Sequence, residues 1–277
     1  MANITAAEVN KLRQITGSGM MDCKNALVEA NGDYELAIDI LRKKGQKVAN
    51  KRADREASEG VVIASTTEDK AYAALIMLSC ETDFVAKNSE FSDMAKSILK
   101  LALENKPANL DALKSMTFNG FSVADHIMNM VGKTGEKMEL AHYDFIEAPR
   151  AFAYNHLGNK LASILGLNKG GDQFDQLGHE LNMQVAAMAA IALDKDDIDP
   201  AVIEREIEIG KEQARQEGKP EDMLEKIAVG KLNKFYKEST LLNQEFVRDN
   251  KLTVREYIAR HDKDLKVTGF FRRMLGA

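Results

Sequence analysis

Tryptophan is absent from this 277-residue chain, and proline (4) and cysteine (2) are scarce. Cys23 and Cys80 are too few for a disulfide framework or a thiol metal site, and each lies on an apolar face, where it reads as a small buried residue. Low proline with 6% aromatics fits a helix-rich chain better than an all-β one. No apolar run is long enough to span a bilayer. Met1-Ala2-Asn3-Ile4-Thr5 lacks the basic-then-apolar pattern of a signal peptide, so the expectation is a cytoplasmic protein. There is no basic excess: the net charge of −5 argues against a protein devoted to nucleic acid.

Catalytic patterns are missing too. Neither the Walker loop nor G-x-G-x-x-G occurs, and there is no G-x-S-x-G elbow. His126, His142, His156, His179 and His261 are scattered without ligand spacing. The expectation is no catalytic residue, no metal, no cofactor and no enzyme: a binding factor.

What is present is patterned. Residues 2–45 read as three helices. Thr5-Ala6-Ala7-Glu8 is a capping box, followed by Val9, Leu12 and Ile15 facing inward. Cys23, Ala26, Leu27 and Ala30 make a second stripe, and Leu36, Ala37, Ile40 and Leu41 a third, with Gly45 as the stop. Residues 46–59 read as a linker, strongly basic from Arg42 to Arg55. Val61 to Ser65 and Tyr72 to Leu78 then form a strand–turn–strand pattern, followed by a helix carrying Phe91, Met94, Ile98 and Ala102. Another helix starts at Ser122 with Asp125 in the box position. The hairpin-plus-helix pattern recurs at Ala151 to Leu165 with Leu177, Leu181, Val185, Met188 and Ala192, which suggests two related subdomains. In residues 198–237, Ile203, Ile207, Gly210 and Ala214, then Leu224, Ala228 and Leu232, give two thin stripes around Gly218-Lys219-Pro220. They predict an antiparallel helical hairpin. A capping box at Thr253 to Glu256 and a closing strand from Val267 to Phe271 end the pattern.

Two segments stand out. Thr82-Asp83-Phe84-Val85 puts an acid beside a large aromatic between a core strand and a helix. By residue type, Phe84 returns to the core and Asp83 makes a turn hydrogen bond, or the pair serves a partner. Met20-Met21, beside the flexible Gly17-Ser18-Gly19, is either core or an adaptable binding surface.

Leu12 to Leu27, with Thr16-Gly17-Ser18-Gly19-Met20-Met21 at its centre, resembles the N-terminal signature of the elongation factor Ts family, and Cys80 to Lys87 resembles its second signature. Weaker matches follow in family order at Tyr154 to Gly158, Lys234-Phe235, Phe246-Val247 and Val267 to Phe270. The resemblance implies an α+β fold. An N-terminal three-helix ubiquitin-associated-like domain (1–45) and the basic linker (46–59) would precede a two-subdomain core with antiparallel hairpins (60–148; 149–197 with 238–277), into which the helical hairpin 198–237 is inserted. It also implies guanine-nucleotide exchange on elongation factor Tu, bound both with GDP and nucleotide-free. Thr82, Asp83, Phe84 and Val85 would meet the partner's GTPase domain near its magnesium, helped by Met20, Met21, His156 and Gly158. Neither a membrane nor direct nucleic acid would be required. Departures fall around 134–160: Thr134-Gly135-Glu136-Lys137-Met138 and Ala141-His142 replace a family pattern with paired arginines, and Asn159 stands where a glycine is common. The chain reaches Ala277 soon after Phe270-Phe271-Arg272-Arg273, so contacts made by a longer tail are expected to be absent or moved. Two other classes remain open: RNA or ribosome binding through the basic stretch, and assembly by self-association through the 198–237 hairpin.

Overall fold

The computed structural model describes residues 4–276. Met1, Ala2 and Asn3, on which the missing-leader expectation partly rests, and Ala277 lie outside the described residues.

Three helices lead: α1 (Ala6–Thr16), α2 (Met20–Glu29) and α3 (Tyr34–Lys51). Thr5 and Glu8 form the reciprocal box that starts α1, and the Asp33 carboxylate accepts the Leu36 N–H at 3.0 Å to start α3. Val9, Leu12, Cys23, Ala26, Leu27, Ala37 and Leu41 close a small core of their own. Ile15 and Leu36, read as inward, are exposed instead. Thr16 takes the buried place one turn after Leu12, its hydroxyl satisfied by the Leu12 carbonyl at 2.9 Å.

The helix does not stop at Gly45. It runs to Lys51, so the first part of the expected linker is helical. The glycine serves a crossing rather than a terminus. A Cβ at Gly45 would fall 2.5 Å from the Met128 carbonyl oxygen, and Gly132 faces Gly45 across the same contact. The basic stretch is also not a free tether: Arg42 pairs with Asp125 at 3.0 Å, Arg52 with Glu81 at 2.7 Å, and Lys44 with Asp22.

The body follows in order: β1 (Glu59–Thr66), β2 (Tyr72–Cys80), α4 (Asp83–Ala86), α5 (Ser89–Asn105), α6 (Leu110–Ser115), β3 (Thr117–Phe118), β4 (Phe121–Ser122), α7 (Val123–Thr134), β5 (Met138–Glu147), β6 (Arg150–Asn155), β7 (Leu161–Leu167) and α8 (Asp175–Met188). Then come α9 (Pro200–Gln216), α10 (Leu224–Ser239), β8 (Glu245–Phe246), β9 (Asp249–Thr253), α11 (Val254–His261) and β10 (Val267–Met274). Two antiparallel three-stranded sheets, ordered β1-β2-β5 and β10-β7-β6, lie face to face. Val62, Ala64, Ala73, Leu75, Ala162 and Ile164 fill the space between them. The alanines among them let the sheets approach closely. α5 and α7 cover the outer face of the first sheet, while α8 and α11 cover that of the second. The fold is thus mixed α+β, with hairpin-plus-helix units back to back.

α8 ends at Met188, because Ala189 turns left-handed at φ 48°. Ala192, read as its next turn, instead bridges Thr240 and closes the base of the α9–α10 hairpin. Both ends of the hairpin therefore meet at one point of the body, where the Ile191 N–H donates to the Ser239 carbonyl at 2.9 Å. Gly210, Ala214, Leu224, Ala228 and Leu232 are buried in its seam. Among the described residues no helix is long and apolar enough to cross a membrane.

Candidate partner-binding surface

The strand pairing of β2 with β5 ends at Cys80 opposite Met138. Beyond it Thr82 adopts an extended conformation and caps α4, its hydroxyl oxygen accepting the Val85 N–H at 3.4 Å. A helix of a single turn fans its residues to different sides. Val85 and Ala86 turn inward against the first core, while Phe84 is thrown outward and is 84% exposed. The residue-type expectation that Phe84 returns to the core is therefore corrected, and Asp83 finds its partner in Lys87, 2.6 Å away, rather than in a backbone turn. The hydrogen bond from Lys87 holds the Asp83 carboxyl below its ordinary range and raises Lys87 in turn. Underneath, burial pushes the Cys80 thiol up to about 12, so at neutral pH it is a protonated donor to the Thr82 carbonyl, 3.3 Å away.

An exposed phenylalanine forgoes roughly 1.5–3 kcal/mol of burial. Here the turn that exposes it is held on both sides. The Thr82 N–H and hydroxyl donate to the Glu136 carboxylate at 3.1 and 2.7 Å. The Glu81 carboxylate accepts the Lys137 N–H at 2.6 Å and the Arg52 guanidinium at 2.7 Å.

Met20 and Met21 open α2 and are 52% and 63% exposed, so neither is core. The loop before them lies beside the start of α5, the helix that follows Phe84. Thr16 and Gly17 share a groove of about 340 Å³ with Glu90, Met94 and Lys133. His156 and Gly158 sit in the β6–β7 turn, where the Asn159 N–H donates to the His156 carbonyl at 3.0 Å. Gly158 has a φ of +88°, a left-handed turn position that suits glycine. Asn159, in place of a second glycine, also takes a positive φ of 53°, which asparagine tolerates.

This turn borders the same end of the first sheet as Thr82. Lys160 pairs with Glu59 at 3.0 Å, and Glu59 lies opposite Cys80 in the β1–β2 register. Its tip carries Leu157, 95% exposed, which residue reading passed over as a site. The available signal was an apolar residue set between His156 and Gly158 in an otherwise polar turn. Among the described residues no group of three or more histidine, cysteine, aspartate or glutamate side chains is placed to hold a metal ion.

Strand ends that hold out exposed apolar side chains define a protein-binding surface. A family model described as elongation factor TS matches residues 81–277. Elongation factor Ts of Cytophaga hutchinsonii is 50% identical over 98% of this chain and 99% of its own. That of Christiangramia forsetii is 49% identical over all of both chains, and that of Porphyromonas gingivalis 46% over 99% of both. The chain belongs to the elongation factor Ts family. It is accordingly a translation elongation factor, acting in the cytoplasm as a non-catalytic exchange factor.

Proposed function

We propose that this chain releases GDP from elongation factor Tu by driving Phe84 into the partner's GTPase domain and so dislodging its magnesium. Family membership makes it the nucleotide-exchange factor for elongation factor Tu; the route through Phe84 is what the surface supports. The observation that carries it is an aromatic 84% exposed on a turn held by the Glu136 carboxylate.

An exchange factor prefers the nucleotide-free partner, and linkage requires it to weaken GDP by the same ratio. A ratio on the order of 10⁴ needs about 5.5 kcal/mol of differential binding. Ion pairs at the surface fall short of that, whereas a desolvated aromatic anchor within a broad interface is of the right size. In this reading Phe84 enters between elements that hold the cation and the β-phosphate, with Thr82 and Val85 fixing its approach. Asp83 disfavours the magnesium-bound arrangement. Its contact with Lys87 is exposed, weak and screened by salt, and so is readily exchanged for a new partner. Without the cation, repulsion on the diphosphate is unmasked and GDP leaves. Met20 and Met21 widen the contact from α2, and His156 and Gly158, with Leu157 at their tip, reach the partner from the second sheet. The apolar clusters of the leading helices and of the outer faces of the two sheets support domains at 1–45, 60–148 and 149–197 with 238–277, with a further cluster joining the two sheets. The seam of α9 and α10 supports the insertion at 198–237.

The test is GDP release from loaded elongation factor Tu, with and without the chain, across a magnesium titration. The chain should accelerate release, and excess magnesium should blunt the acceleration. Acceleration indifferent to magnesium would overturn the cation route. The hairpin also keeps Ile209, Met223 and Val229 exposed outside its seam, which supports association of two copies through it. Sedimentation should then show a dimer that deletion of 200–239 abolishes; a monomer at high concentration excludes it.

A further inference from the structure

Where the β2–β5 ladder stops, two carboxylates continue it. Backbone pairing runs through Leu78 opposite Leu140 and Ser79 opposite Glu139 to Cys80 opposite Met138. One step further, the Glu81 side chain accepts the Lys137 N–H at 2.6 Å. One step beyond that, the Glu136 side chain accepts the Thr82 N–H at 3.1 Å and its hydroxyl at 2.7 Å. Each segment thus offers a carboxylate to the other's main chain, a reciprocal clamp that replaces two missing rungs. The Thr82 hydroxyl, donating to Glu136, keeps its oxygen free to accept the Val85 N–H and cap α4. The same clamp ties in the end of α3: Glu81 also accepts from Arg52, and the Lys137 ammonium donates to the carbonyls of Ala53 and Arg55 at 2.7 and 3.0 Å.

We infer that Glu136 is a positioning residue for exchange: by fixing Thr82 it aims Phe84, which it does not touch. This rests on the exchange route set out above. A four-residue helix has no stability of its own in water, so its direction is set by what holds its cap. Charged acceptors make the strong hydrogen bonds here, and small errors in aim are costly at a site that acts by fit.

Glu136→Ala should slow stimulated GDP release on the order of tenfold, the scale of losing a charge-assisted pair that orients a group. Glu136→Gln keeps one acceptor oxygen and should fall between it and the unaltered chain. Release of a fluorescent GDP analogue from elongation factor Tu would be compared for Glu136→Ala, Glu136→Gln, Phe84→Ala and the Glu136→Ala/Phe84→Ala pair. Because Glu136 works through Phe84, the double variant should be no slower than Phe84→Ala alone. In the free chain, amide hydrogen exchange across residues 82–87 should rise in Glu136→Ala and stay unchanged in Phe84→Ala. Should the alanine variant fail to fold, Glu136→Gln carries the same comparisons. Normal release by the Glu136 variants beside slow release by Phe84→Ala overturns the clamp and leaves the exchange route standing, and so does a fully additive double variant. Normal release by Phe84→Ala overturns the exchange route itself, and the positioning role with it.

Discussion

Phe84→Ala is expected to slow stimulated GDP release roughly a hundredfold, the effect of removing an interface anchor worth about 2–4 kcal/mol. The melting temperature of the free chain should hardly move. Phe84 is 84% exposed, so its truncation opens no cavity and removes little packing. That separation is the informative part. Substitution of the half-buried neighbour Val85 would disturb fold and function together, because Val85 packs against the first core. Affinity for the nucleotide-free partner should fall too, and linkage requires the factor's weakening of GDP affinity to shrink in the same ratio as its preference for the nucleotide-free state. Release at the unaltered rate, measured with saturating factor, would sink the wedge whatever happened to binding. Leucine at 84 offers a graded control, because it keeps apolar volume and loses the flat ring.

How much of this was legible beforehand differed by element. Helices with caps were plain in the residues: Thr5 with Glu8, Ser122 with Asp125 and Thr253 with Glu256 all form their boxes, because a cap is a local device that tertiary packing rarely overrides. The long seam of α9 and α10 was legible for the same reason, as its period is set within one element. β5 was not read as a strand. Its burial steps from Met138 and Leu140 to Tyr143 because the register shifts opposite Met77 and Leu78, and then to Ile146 on the other face, against the second sheet, so the two-residue alternation is lost. Gly45 was read as a stop because glycine ends helices more often than it serves their crossings, and only the position of Met128 in space decides between the two. At the site, residue type alone sent Phe84 inward; the family signature around Cys80 to Lys87 marked it as a surface residue. Nothing local could reveal that Glu136 holds Thr82, since the two are 54 residues apart and meet only once the sheet has formed.

The largest effect on stability away from the site is expected for Arg273→Met. Arg273 on β10 grips Asp144 on β5 side-on, at 2.7 and 2.8 Å, and so joins the edges of the two sheets. The Asp144 side chain is only 9% exposed, and methionine would leave it charged, nearly buried and alone. A fully buried pair broken this way costs about 3–5 kcal/mol. Arg273 is itself 34% exposed, so water reaches the gap and about 2–3 kcal/mol is the better expectation. That corresponds to a fall in Tm of roughly 5–10 °C. Adding Asp144→Asn should recover part of the loss, because the stranded charge goes with it. Acid supplies a second readout. His142 is held below its ordinary value of 6.5, first by burial and then by the charge of Arg273, against the opposing pull of Asp144 and Glu139. A histidine with a lowered folded pKa binds its proton more readily when unfolded. Its contribution is therefore intact above pH 6.5 and is lost as the pH falls below that value. Without Arg273 the repulsion goes and Asp144 remains, so His142 rises toward its ordinary value and the acid penalty shrinks. The deficit of Arg273→Met should therefore narrow between about pH 7 and pH 5 in chemical denaturation. A deficit constant across that range would remove Arg273 as a contributor to the His142 shift, leaving burial alone. GDP release below the variant's melting point should meanwhile stay normal, the reverse of Phe84→Ala, since the β5–β10 contact holds the sheets together and takes no part in aiming the turn that carries Phe84.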